Sequence, residues 1–367
     1  MANKKIPELT ELASVNSATD FLPVVDTSTV KTKKISLANL PMSDAEIDQS
    51  YPFTTNFKSG TEETLDLNII NSTRFRSDTN LTSIYIGSNV KSISSLGFFE
   101  CSNLASVTMP DSVTSIGDEA FRGCTSLANI AIPDRLTAIG ALAFFACSNL
   151  ASVKIGGSTT FIGSQSFQYC TSLTSFIIPD SVTSMGYATF FGCTGLTNIT
   201  IGDSVTSIGA FAFMRCSGLT SVTLPNSVIS ISSAAFQFCY GLTSITIPDS
   251  VTSIGSTAFG GCSSLTSITI PDSVTSIGNS AFANCTSLSS ITIPKGVTSI
   301  GAFAFANCSA LSTIISLAVD APTVITNSFN NVAATAITVP AGATASYVAA
   351  GTDGKYGGLI IAELAEA

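Results

Sequence analysis

The chain has 367 residues, of which 45% are hydrophobic and 11% are charged, and its net charge is −9. This negative balance argues against a nucleic-acid-binding protein, which needs clustered Lys and Arg, and no apolar run reaches the ~18 residues of a membrane span. Histidine is absent, so the usual general base and the commonest metal ligand are missing. We therefore expect a protein that is not an enzyme, needs no cofactor or metal, binds no nucleic acid and does not insert into a membrane.

Residues 1–50 differ in composition from the rest of the chain. They contain five Lys and seven Asp or Glu, a large share of all charges. No apolar stretch follows Lys4 and Lys5, so we do not expect a secretory signal. The pattern predicts a strand at 21–25, a turn at 26–28 and a second extended segment at 30–37.

Three short motifs in this leader carry a resemblance. They are Ile6-Pro7-Glu8-Leu9, then Asp20-Phe21-Leu22-Pro23-Val24-Val25, and Thr32-Lys33-Lys34-Ile35. The leader resembles the N-terminal segment of bacteriophage tail fibre and tail-associated proteins. The resemblance implies that the leader attaches a receptor-binding body to other virion tail proteins, through Ile6, Leu9, Phe21, Leu22, Val24 and Ile35. The alternative is a solvated arm with a small hairpin.

The segment from 51 to 80 precedes a regular repeat. Because the end of a repeat stack exposes its core unless it is covered, we expect this segment to act as an N-terminal cap. Leu65, Leu67, Ile69 and Ile70 have the spacing of a degenerate first repeat.

Cysteine recurs every 23 residues from 101 to 308 without an insertion. Leucine and phenylalanine recur with the same period, and the phenylalanine stands three residues before each cysteine. A fixed period of this length means that one structural unit is copied and stacked. The ten cysteines are Cys101, Cys124, Cys147, Cys170, Cys193, Cys216, Cys239, Cys262, Cys285 and Cys308.

One unit, from Leu265, reads LTSITIPDSVTSIGNSAFANCTS, and its positions are numbered 1 to 23 from the leucine. Alternating apolar residues at 265–270 predict a short strand that the Pro-Asp pair at 271–272 ends. Inward residues at 274 and 277 predict a second extended segment. Gly278 bends the chain, and the spacing of Ala281, Phe282 and Cys285 predicts one helical turn.

A single unit has too few apolar side chains to offset the cost of ordering 23 residues, so the units must stack. The fold predicted for 81–316 is a repeat solenoid of short β-strands plus a helical turn. The motif LxxIxIPxxVxxIGxxAFxxC resembles the BspA-like leucine-rich repeat family. That resemblance implies a surface-exposed binding or adhesion module, and it supplies no catalytic residues.

The cysteine and aspartate columns each allow more than one interpretation. The cysteines are buried thiols, five disulfides or a metal-binding column, and we favour buried thiols because equivalent positions point the same way. The aspartates cap turns or form a calcium-binding column, and we favour turns because Ser follows nearly all of them. These aspartates are Asp111, Asp134, Asp180, Asp203, Asp249 and Asp272.

Residues 317–367 depart from the period. Phe329 stands one place later than the period requires, and no cysteine follows it. The sequence at 337–340 resembles one last strand, and we expect residues 347–367 to close the stack.

Aromatic and large apolar residues gather around the predicted helical turn of the middle repeats. Because the regular Phe column fills the interior, we expect them outside, as a receptor or glycan site, a homo-oligomer interface or residues partly buried against neighbouring units. The predicted partner-binding residues are Leu142, Phe145, Tyr169, Tyr187, Phe191, Phe211, Met214, Phe238 and Tyr240, and Phe303 shares their pattern. The outer face of the first strand is instead rich in Thr.

These patterns lead to three functional hypotheses. The first is a phage tail protein, assembled in the host cytoplasm, that binds the host surface through its solenoid and forms a homo-oligomer. The second is a cellular surface adhesin. The third is a purely structural virion component without receptor contact.

Overall fold

The computed structural model describes residues 63–65, 69–70, 75–325, 327–352 and 354–364. The chain divides into two units, residues 1–41 and 42–367, and every described residue belongs to the second. The strands predicted in the leader, its six attachment residues and Leu67 therefore lie outside the described residues.

The described chain forms a β-solenoid of about twelve coils with a repeat of about 23 residues, which confirms the predicted repeat solenoid. Its elements, in chain order, are β1 (Glu63–Leu65), β2 (Ile69–Ile70), β3 (Ser83–Ile86), β4 (Ser92–Ile93), β5 (Ser106–Thr108), β6 (Ser115–Ile116), β7 (Asn129–Ala131), β8 (Ala138–Ile139), β9 (Ser152–Lys154), β10 (Phe161–Ile162), β11 (Ser175–Ile177), β12 (Ser184–Met185), β13 (Asn198–Thr200), β14 (Ser207–Ile208), β15 (Ser221–Thr223), β16 (Ser230–Ile231), β17 (Ser244–Thr246), β18 (Ser253–Ile254), β19 (Ser276–Ile277), β20 (Ser290–Ile293), β21 (Ser299–Ile300), β22 (Thr313–Ser316), β23 (Thr323–Val324), β24 (Ala336–Val339), α1 (Thr344–Ala350), β25 (Lys355–Tyr356) and β26 (Leu359–Glu363).

The strands pair in parallel with the equivalent strands of neighbouring coils. The first strand of each unit joins one column, as when β15 pairs with β17, and the second strand joins another, as when β16 pairs with β18. Residues 23 apart are partners, for example Val222 and Ile245. The period of the sequence therefore sets the strand register directly.

The predicted helical turn is wrong. Positions 14 to 21, the turn segment, form successive tight turns, with positive φ at positions 16 and 20, such as 54° at Ser280 and 62° at Asn284. In a helix each N–H would bond four residues back. Here the N–H of Phe282 donates to the carbonyl of Ala304 in the next coil at 2.7 Å, whereas that of Ala283 donates to Ser280 at 3.1 Å. Bonds between coils thus replace helical bonds.

The interior is a set of columns running along the solenoid. The Phe rings of position 18 are fully buried in the regular coils and stack nearly parallel, with centroids 5.0 Å apart at Phe98–Phe121 and 5.6 Å apart at Phe167–Phe190. The inward positions predicted for both strands are buried in most coils, including Val274 at 0% exposure, and Met109, Val153 and Ile155 are half-buried. The expectation of one continuous core shared between units is confirmed.

Glycine stands at position 14 of most coils, where the coils approach closely, and Ser94 and Ser232 stand there in two others. A Cβ built at Gly278 would lie 2.6 Å from the carbonyl carbon of Gly255. Real Cβ atoms do not come so near to backbone, so a side chain there would separate two coils.

The C-terminal end departs from the regular coils. Phe329 stacks on Phe305 at 5.4 Å despite the extra residue. Beyond β24, helix α1 and the β25–β26 hairpin follow, and β26 pairs in parallel with β24. Tyr347 and Tyr356 are fully buried, and the Tyr356 hydroxyl donates to the carbonyl of Pro322 at 2.7 Å. Within the described residues, no helix is long and apolar enough to cross a membrane.

Candidate binding surface

The outward side of positions 15, 16, 19, 20 and 22, called here the turn surface, carries all nine predicted partner-binding residues. None belongs to the buried core. Tyr169, Tyr187 and Tyr240 are 40%, 50% and 51% exposed. The half-buried members are Leu142, Phe145, Phe191, Phe211, Met214 and Phe238. Phe303, which shares the pattern, is exposed.

Three of these residues meet in one cluster. The Tyr169 ring contacts Phe145 and Phe191 edge-to-face, with centroids 5.7 Å and 5.4 Å apart. Such contacts favour a defined ring orientation. The cluster spans successive coils and presents a connected aromatic surface.

The cluster of Phe145, Tyr169 and Phe191 continues towards the N-terminus through residues that the sequence did not lead us to predict. The guanidinium of Arg122 lies over Phe145 at 5.0 Å and over Phe99 at 5.5 Å, and Arg76 lies over Phe99 at 5.1 Å. Arg122 also pairs with Glu119 at 2.7 Å. Comparing position 19 between coils would have found these residues, because Arg and Phe alternate there from residue 76 to residue 145.

The other predicted residues form separate groups. The ring centroids of Tyr187 and Phe211 lie 5.0 Å apart, and those of Phe238 and Tyr240 lie 5.9 Å apart. The expectation that Phe145, Phe191, Met214 and Phe238 gather on one edge is met only in part, because they share the turn surface but not one ring cluster.

Position 20 places long side chains over the following coil. A Cβ built at Gly192 would lie 2.6 Å from Cδ1 of Tyr169, and one at Gly261 would lie 2.6 Å from Cδ1 of Phe238. The rings therefore cover these glycines. Tyr169 and Phe238 have φ of 61° and 60°, a region that bulky residues seldom adopt. Backbone bonds between coils hold this conformation, so the rings are positioned before any ligand arrives.

The turn surface of the middle coils is nearly uncharged. From residue 140 to residue 308, the turn segments contain no Asp or Glu, and their one charged residue is Arg215. Arg215 is exposed, lies 5.9 Å from the Phe238 ring centre and forms no ion pair within the described residues. In a chain of net charge −9, the one charge on these turn segments is therefore positive.

The Thr-rich faces contain two kinds of hydroxyl group. At position 11, the Thr275 hydroxyl donates to the carbonyl of Thr252 at 3.2 Å, and at position 9 that of Ser250 donates to Val228 at 2.6 Å. At position 5, the exposed hydroxyls of Thr246 and Thr269 form no hydrogen bond within the described residues. Many hydroxyls therefore join neighbouring coils, and only part of this face remains open to a ligand.

The cysteine column is buried, as expected, and consists of free thiols. Each thiol is directed at the carbonyl of a Phe 26 residues earlier, as Cys193 is at Phe167, 3.1 Å away. Burial raises the pKa of Cys147, Cys193 and Cys262 to about 12, because the thiolate would lose its hydration. These three thiols are therefore inert packing groups at neutral pH.

The aspartate column lies in exposed turns after the first strand. A carboxylate oxygen of Asp180 accepts the N–H of Asp203 at 3.0 Å, and Asp272 pairs with Lys295 at 3.0 Å. These bonds support the turn interpretation. The described residues form no cluster of ligands suited to a metal ion.

The stacked 23-residue coils and their Leu, Phe and Cys columns define a leucine-rich repeat solenoid. The family model described as BspA type Leucine rich repeat region (6 copies) matches residues 68–197, 160–246, 186–312 and 229–348. The chain belongs to this family. No curated protein matches its sequence.

Solved structures share the architecture. A leucine-rich repeat protein from Bacteroides ovatus has 26% identity and a TM-score of 0.56, and the match covers 82% of this chain and 88% of that one. The pneumococcal vaccine antigen PcpA has 17% identity and a TM-score of 0.55, with coverage of 84% and 90%. At that identity, the similarity to PcpA concerns the fold alone.

Proposed function

We propose that this chain is a non-enzymatic, surface-displayed binding module that adheres to its partner through the turn surface. The observation that carries the proposal is the exposed aromatic cluster around Tyr169, held by backbone bonds on a rigid scaffold. Aromatic residues are favoured at binding hot spots, and a preorganised surface binds with a smaller entropic cost. Membership of the BspA-type family supports this adhesin-like role, because the resemblance implies surface-exposed adhesion.

A second candidate places the module on a phage tail. The leader motifs around Ile6, Phe21 and Ile35 favour it, and they lie outside the described residues. In this version the leader binds other tail proteins, and several solenoids on one virion raise avidity for the host surface. The structural-component hypothesis differs because it requires no binding by the turn surface.

Adhesion of the fluorescently labelled full chain to bacterial and mucosal cells tests the proposal. The variant Tyr169→Asn/Phe191→Gln/Phe238→Asn removes the rings but uses residues that other coils hold at the same positions, such as Asn284 and Gln168. We expect saturable binding by the native chain and at least about tenfold weaker binding by the variant, the loss that ~1.4 kcal/mol produces.

Thr246→Ala/Thr269→Ala on the strand face is the matched control and should bind normally. Light scattering on the same samples separates receptor contact from a homo-oligomer interface. If the variant dissociates an oligomer, the turn surface serves assembly. Equal adhesion by all proteins would show that the turn surface is not the binding site.

A further inference from the structure

Tyr169 is an exposed member of the aromatic cluster. The Cδ1–Cε1 edge of its ring lies against the backbone of Gly192, and the Phe145 and Phe191 rings stand nearly perpendicular to it. The side chain is 40% exposed, and its hydroxyl forms no hydrogen bond within the described residues. The exposed part of this ring, called here the plate, is apolar and carries a hydroxyl at its tip.

Arg215 stands two coils further along the same position column. The Tyr169 ring extends one coil forward over Gly192, and the Arg215 guanidinium extends one coil forward towards Phe238. The plate and the guanidinium are therefore still two coils apart, a distance of about 10 Å. No carboxylate of the neighbouring turn segments competes for this guanidinium. Arginine presents a planar set of donors that matches a carboxylate.

We propose that this part of the turn surface binds a carbohydrate chain that carries carboxylate groups, of the uronic acid or sialic acid kind. The inference rests on the proposed binding function and names its ligand class. The apolar face of one pyranose ring stacks on Tyr169, and the carboxylate of a residue further along the chain pairs with Arg215. A flexible chain of a few sugar residues spans the distance between them.

The surface favours a carbohydrate over a protein. Protein interfaces centre on one contiguous cluster of buried anchor residues, whereas the aromatic residues of this surface form separate groups, as Tyr187 with Phe211 and Phe238 with Tyr240 do. The rings of these groups are exposed or half-buried. Separate rings with one cation suit a thin anionic chain.

Titration calorimetry on the full chain tests this with oligogalacturonate, oligosialic acid and the methyl ester of oligogalacturonate, which is uncharged. We expect one of the two acidic probes to bind, more weakly at high salt, and the ester not to bind. Tyr169→Asn and Arg215→Asn should each weaken binding at least about tenfold, because each removes one anchor. Asn suits both positions, since Asn284 and Asn307 adopt the same left-handed conformation.

Arg135→Asn is the matched control, because Arg135 is an exposed arginine in the turn after the first strand, outside the turn surface, and it should change the affinity by less than about twofold. Failure of both acidic probes to bind, equal binding of the ester or unchanged binding by Arg215→Asn would each overturn the inference. If cell adhesion depends on Tyr169 but survives periodate oxidation of the cell-surface glycans, the proposed function stands and the carbohydrate ligand is wrong.

Discussion

Phe213→Ala tests the stacked core most directly. Phe213 is fully buried in a central coil, between Phe190 at 5.5 Å and Phe236 at 5.2 Å, with the rings nearly parallel. A phenylalanine buries about 150–250 Å², which at about 25 cal/mol per Å² corresponds to about 4–6 kcal/mol. The alanine methyl group retains part of this, so we expect a loss of about 3–5 kcal/mol in the free energy of unfolding.

Urea unfolding followed by far-UV circular dichroism measures this loss, since the chain has no tryptophan for fluorescence. The variant and native proteins must unfold with similar denaturant dependence for the comparison to hold. Thr246→Ala, at an exposed hydroxyl without an internal bond, is the control and should stay within about 0.5 kcal/mol. A loss below about 1 kcal/mol for Phe213→Ala would refute the assignment of the Phe column to a tightly packed core.

Four further outcomes are expected. Native protein should resist thiol reagents even at pH 9, because burial raises the pKa of thiols such as Cys193 to about 12. Denatured protein should expose ten free thiols, and five disulfides found by mass spectrometry would contradict this expectation. Gly192→Ala should destabilise the chain by about 1–2 kcal/mol, because the added methyl group would meet the Tyr169 ring and because Gly192 has a positive φ. Calorimetric melting measures this loss. Ser250→Ala should cost about 1 kcal/mol in the same urea assay, because its bond to the preceding coil is lost; a null effect would make that bond unimportant. Deletion of residues 1–45 should leave a folded solenoid that no longer enters phage particles, and normal incorporation would remove the tail hypothesis.

The sequence by itself determined the solenoid, because a period of 23 residues requires equivalent positions to meet in neighbouring coils. Strand register, the Phe column and the burial of the thiols all follow from that period. The outward placement of residues such as Phe145 and Tyr240 was also predictable, because the regular columns already fill the interior.

Only the tertiary structure decided how the turn segments are built and which groups on them meet. The spacing of Ala281, Phe282 and Cys285 suits a helix, but hydrogen bonds to the next coil stabilise left-handed turns instead. Those turns carry the Tyr169 ring over Gly192 and leave Arg215 without an ionic partner in the described part of the chain. Such contacts join residues in different coils, and no local pattern encodes the direction in which a side chain crosses from one coil to the next.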